Sequence, residues 1–234
     1  MSFTGQTTGY SAFEAPLDER MNFIRKTYLY LTGAVFAFVA LCVAFYTSGV
    51  GESIARMISG SQYAWLLVLG AFMLVSWMAT AMAAGSQSVG VQYAGLFLYT
   101  VAQALIFSPL IFIAAAYAPG VLPTATLLTL LVFGSLSVYV LTTKKDFSFM
   151  RGALMLGGIV ALGLIVGGAI FGFQLGLWFS VGMVIFAGGA VLYSTSNVLH
   201  KYQTGMHVGA ALELFAAIAL LFWYILNILM ELRR

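Results

Sequence analysis

The chain has 234 residues, of which 62% are hydrophobic and only 7% charged, with 10 Lys/Arg against 7 Asp/Glu and a formal charge of +3. An ordinary soluble domain is about a quarter charged, and so few ionic groups cannot furnish a polar shell for a protein of this size, so a water-soluble reading is excluded and most of the surface must face lipid. The basic excess has no stripe of interleaved aromatics behind it, so nucleic acid is not an expected partner, and in a membrane protein such an excess records orientation.

Residues 1–26 form a polar stretch carrying Glu14, Pro16, Asp18, Glu19, Arg20, Arg25 and Lys26. No short apolar core precedes a small-residue cleavage site, so this stretch reads as a retained cytoplasmic tail, with residues 27–234 as the membrane domain. A spanning helix needs about 20 apolar residues to cross about 30 Å of hydrocarbon. Seven segments reach that length: Tyr28 to Thr47, Tyr63 to Ala84, Val91 to Ile113, Leu122 to Thr142, Ala153 to Phe173, Leu175 to Leu199, and Val208 to Met230. The fifth and sixth run almost together, and the polar, glycine-flanked stretch Gly172, Phe173, Gln174, Leu175, Gly176 is where the chain is expected to reverse. Unsatisfied backbone groups are too costly in lipid, so each segment is expected to be helical, giving an all-α seven-transmembrane helix bundle.

Loop charges orient the bundle. With the N-terminus cytoplasmic, Arg20, Arg25, Lys26, Lys144, Lys145, Arg151 and Lys201 lie inside, against Arg56, Arg233 and Arg234 outside. Cys42 is the sole cysteine and lies in the first apolar run, so an internal disulfide is impossible. Pro109, after Ser108 in the third segment, is expected to kink its helix. Gly163, Gly167, Gly168, Gly172 and Gly176 make overlapping small-xxx-small patterns on the fifth segment. Such spacing lets helix backbones approach closely, which places this span in the middle of the bundle or makes it a face between two copies.

Ionisable groups inside spans are functional candidates by default. There is essentially one here, Glu213, about six residues into the last span and roughly 9 Å beyond His207. It either snorkels to the interface and pairs with Lys201, or serves as a proton or cation ligand inside the bundle. The sixth span ends in Tyr193, Ser194, Thr195, Ser196, Asn197, then His200 and Lys201. On a helix, Tyr193, Ser196, Asn197 and His200 fall at i, i+3, i+4 and i+7, one face that must look inward. That face either bonds neighbouring helices or lines a wet cavity open to the cytoplasm. His200 and His207 would need a further ligand to hold a metal. No phosphate loop, nucleophile elbow, zinc-protease motif or paired carboxylates are present, so neither enzymatic activity nor a cofactor is expected.

Two stretches are more specific. Val138 to Phe149 reads V-Y-V-L-T-T-K-K-D-F-S-F, and Leu192 to His200 reads L-Y-S-T-S-N-V-L-H, followed by Ala211, Leu212, Glu213 and Leu214 in the last span. Together they resemble the Bax inhibitor-1 (transmembrane Bax inhibitor motif) family, and within it the bacterial YccA branch. The resemblance implies six helices around a central one, in the bacterial inner membrane. It also implies a partner, the FtsH-type AAA protease, which such proteins modulate and which could grip a polar tail. Other members of the family act as pH-sensitive calcium leaks through a pair of aspartates sharing a proton. The resemblance places those acids where this chain has Ser194 and, in the last span, near Ala217, so the dyad cannot form as such. Glu213, one helical turn from Ala217, is the nearest replacement acid, and with the Tyr193 to His200 face it carries the alternative reading of a calcium or proton leak.

Overall fold

The computed structural model describes residues 11–60, 63–85 and 88–233. Eight helices follow one another in that part of the chain: α1 (Leu17–Thr47), α2 (Val50–Ser59), α3 (Ala64–Gly85), α4 (Val89–Tyr117), α5 (Val121–Thr143), α6 (Met150–Phe171), α7 (Gly176–His200) and α8 (His207–Glu231). Seven of them, all but α2, are long and apolar enough to cross a membrane, and they coincide with the seven expected segments to within a few residues at most ends. The larger difference is at the start. Helix α1 begins at Leu17, directly after Pro16, so the last ten residues of the expected tail are already helical. Asp18 and Glu19 in its first turn suit the positive end of the helix dipole.

Helix α2 was not expected. At ten residues it cannot span a bilayer, and it buries only Gly51 and Ala55. The backbone contact explains the glycine: a Cβ at Gly51 would stand 2.7 Å from the Ser108 carbonyl oxygen of α4. The reversal between α6 and α7 falls where expected, with Gly172 closing α6 in the left-handed conformation at φ 76°, a backbone state that glycine adopts without a steric penalty.

The centre of the bundle is α8, flanked by α1, α3, α4, α5 and α7. It is buried almost continuously from Val208 to Leu226. The expectation that the glycine-rich fifth span occupies the middle is overturned. Among the described residues of α6, Ala161 alone is buried, and the helix lies along α7 with a short touch on α3. A Cβ at Gly163 would meet open space, while Gly167 and Gly168 receive the helix's own exit residue Phe173. Close backbone approach occurs instead at Gly95 of α4, where a Cβ would stand 2.6 Å from the Ala79 carbonyl oxygen of α3. Gly209 of α8 also brings that helix close to α3, at 3.2 Å from the Ala83 carbonyl oxygen. Small residues permit tight helix contacts, but only those whose bare side faces a neighbour are used for it.

Helix α4 continues through Pro109 to Tyr117. Proline cannot donate to the carbonyl four residues earlier. The Ser108 hydroxyl donates to that Leu105 oxygen at 2.8 Å, so the group stays satisfied inside the apolar layer.

Candidate functional site

The polar end of α7, the six-residue loop 201–206 and the first two turns of α8 form an antiparallel hairpin. Asn197 near the end of one helix and Glu213 near the start of the next therefore stand at similar depth. The Asn197 amide donates to Glu213 Oε1 at 2.7 Å, and the hydroxyl of Tyr202, from the intervening loop, donates to Oε2 at 2.7 Å. Each carboxylate oxygen thus has one donor of good length. Burial pushes the Tyr202 phenol up, and the nearby Glu213 carboxylate pushes it further, so Tyr202 remains a donor throughout the physiological range.

Glu213 has a second side. A cavity of about 240 Å³ is lined by Thr80 and Ala84 of α3, Tyr99 of α4, Tyr202, and Gly209, Glu213 and Ala216 of the hairpin. Gly209 borders it where α8 comes close to the backbone of α3. The carboxylate accordingly lies between the Asn197 amide and a space large enough for several waters.

The other expected face residues go to three different neighbours. Tyr193 receives the Lys201 ammonium, which donates to its hydroxyl at 3.2 Å and sits 4.7 Å from the ring centroid. Lys201 therefore engages Tyr193, and the alternative of an ion pair with Glu213 is not the observed arrangement. Ser196 reaches the loop between α5 and α6: its hydroxyl accepts from the Phe147 amide at 2.9 Å and donates to Asp146 Oδ1 at 3.3 Å. Asp146 is itself held by the Ser148 amide and hydroxyl at 2.8 and 2.9 Å. The Ser148 backbone bond keeps the Asp146 carboxyl below the usual carboxylate range, and the proximity of His200 acts in the same direction.

His200 stacks on Phe13 with ring centroids 4.9 Å apart, whereas His207 stacks on Tyr30 at 5.1 Å. Thr195 faces Ser137 of α5, hydroxyl to hydroxyl at 3.4 Å, and Ser194 is buried. The end of α7 is thus enclosed from Ser194 to Leu199 on every side. A single inward face was expected, and the enclosure arises because α5, α8, the 144–149 loop and the N-terminal segment all pack there.

That segment is a site feature the sequence did not reveal. Ser11 forms an antiparallel bridge with Gln203, and the Ala12 amide donates to the Tyr202 carbonyl oxygen at 2.9 Å. Ala12 is fully buried, and Arg20 reaches back to the Phe13 carbonyl oxygen at 3.4 Å. Residues 11–15 consequently form a strap across the α7–α8 loop, above the Glu213 site. Neither apolar periodicity nor a charge pattern marks such a contact.

Comparison with known proteins finds relatives of this chain. An uncharacterised protein of Pseudomonas aeruginosa is 38% identical over 112 residues, covering 47% of this chain and 49% of the relative. The Escherichia coli protein named modulator of FtsH protease YccA is 37% identical over 102 residues, 43% of this chain and 46% of that protein. The chain thus spans about half the length of these bacterial relatives in each match. Bax inhibitor 1 of Schizosaccharomyces pombe is 29% identical over 217 residues, 90% of this chain and 76% of the yeast protein. No solved structure matches. The family model described as inhibitor of apoptosis-promoting Bax1 matches residues 20–234, nearly the whole bundle from the first turn of α1 onward, and the chain therefore belongs to the Bax inhibitor-1 family.

Proposed function

We propose that this chain is a bacterial inner-membrane protein, with its N-terminus in the cytoplasm, that binds an FtsH-type AAA protease and tempers its activity. The observation that carries the reading is the likeness to the relative named as a modulator of that protease. The arrangement of one end of the bundle supports it. The strap at residues 11–15, the basic loop with exposed Lys144 and Lys145, and the α7–α8 loop lie together there, and the same end collects most of the loop cations. It is the end a cytoplasmic AAA ring would meet. Affinity capture of the chain from nanodiscs made with inner-membrane lipid is expected to recover the protease, and deletion of residues 1–20 is expected to slow the chain's own turnover. Capture that returns no protease removes the reading.

A second reading is a calcium or proton leak, favoured by Glu213 standing between Asn197 and an internal cavity. The Ser194 and Ala217 positions carry no acid, so Glu213 would act without a carboxylate partner. Calcium flux into liposomes, compared between the unaltered chain and Glu213→Gln, separates the readings: equal flux excludes Glu213 as the gate.

A further inference from the structure

A larger cavity, about 600 Å³, lies deeper in the bundle between α3, α4, α7 and α8, within the range of sites that enclose small organic ligands. Its wall is aromatic: Trp65, Phe72, Tyr99, Phe179 and Trp223 all contribute. The two indoles stack on one another, with centroids 5.9 Å apart and planes at 20°. Gln103 of α4 belongs to the same lining, one helical turn from Tyr99. Its side chain is 6% exposed and its amide oxygen has no hydrogen-bond partner. A buried acceptor left unpaired costs about 1–3 kcal/mol, and this one belongs to a side chain that lines a mostly apolar space, where a ligand donor could satisfy it.

The cavity also has a route to the bilayer. Helix α3 touches α6 over only a short stretch, and Ile165 of α6 is part of the lining, so the gap between these helices faces acyl chains rather than water. Glu231 and Asn227 mark the end nearest the membrane surface. We propose that this cavity binds a membrane-dissolved amphiphile with a flat ring bearing a hydroxyl, the ring lying against the aromatic wall and the hydroxyl donating to Gln103. An acyl chain alone would fill the volume and leave Gln103 unpaired, and a headgroup would find an ionic partner only at Glu231, at the cavity's end.

The test uses 4-heptylphenol and its methyl ether, 4-heptylanisole, which differ in the donor proton. Trp77 and Trp178 are 73% and 85% exposed, so the double variant Trp77→Phe, Trp178→Phe leaves Trp65 and Trp223 as fluorescent reporters of the cavity. In nanodiscs the phenol is expected to bind roughly tenfold more tightly than the ether. Gln103→Met, which keeps the length and removes the acceptor, is expected to abolish the preference, and Gln103→Glu to retain it, with thermal unfolding confirming that both variants fold. Equal preference in Gln103→Met, or no saturable response to the phenol, overturns the proposal. Octan-1-ol competing as well as the phenol overturns the assignment of a ring.

Discussion

Replacement of Gly95 by alanine tests where the bundle is held together. A Cβ there would stand 2.6 Å from the Ala79 carbonyl oxygen, 2.8 Å from the Ala83 amide nitrogen and 2.9 Å from Met82 Cβ. Two of these are backbone atoms of α3, so no side-chain rotation relieves the contact and the two helices must separate. Overpacking of this kind costs about 1–3 kcal/mol, and the lost contact along α3 adds to it. Against this stands the helix preference of alanine over glycine, about 1 kcal/mol. The net expectation is a loss of about 1–2 kcal/mol. Gly163→Ala on α6 is the control, because its Cβ would meet nothing within 4 Å, and it should be neutral or stabilising by up to about 1 kcal/mol. Reversible unfolding in bicelles gives both values. Equal stabilities for the two variants would refute the placement of the tight contact at α3–α4, and a loss at Gly163 alone would restore the glycine-rich span to the centre.

Asn197→Ala removes the donor to Glu213 Oε1 and Tyr202→Phe the donor to Oε2. Each is expected to destabilise by about 1–3 kcal/mol, and a double-mutant cycle by thermal unfolding should show non-additivity because they share one carboxylate. Asp146 has its folded pKa below the unfolded value, so its contribution is present above the unfolded carboxylate range and is lost as pH falls through the lowered folded value. Amide exchange of Phe147 and Ser148 should therefore be protected equally between about pH 5 and 8 and rise only in stronger acid, whereas Asp146→Asn should show raised exchange at neutral pH. Phe13→Ala removes the stack on His200, and limited proteolysis should then cut around residues 11–15 several-fold faster while the spans remain intact.

The spans were legible because the bilayer imposes one length and one composition on each, and the turn at Gly172 to Gly176 was legible because only there does polarity interrupt the run. Helix α2 was not, since ten residues with Glu52 and Arg56 look like any outer loop until Gly51 is seen against α4. The misplaced centre has a clear cause: glycine spacing reports the capacity for close approach, whereas α8 is central through the fully buried Val208, Leu214, Leu221 and Leu226 and carries no run of spaced glycines. At the candidate site, Glu213 and Asn197 could be singled out as polar groups in apolar helices. Their pairing through Tyr202, and the separate tie of Ser196 to Asp146, depend on how a loop and a neighbouring helix fold back. No local pattern encodes that.

The strap across the α7–α8 loop also orders events in time. Ser11 meets Gln203 and Ala12 meets Tyr202, residues separated in synthesis by six of the seven spans. Residues 11–15 have nowhere to dock until the α7–α8 hairpin has been synthesised and inserted. A product stalled before that hairpin therefore keeps this segment free, and the state of residues 11–15 reports whether the hairpin has formed.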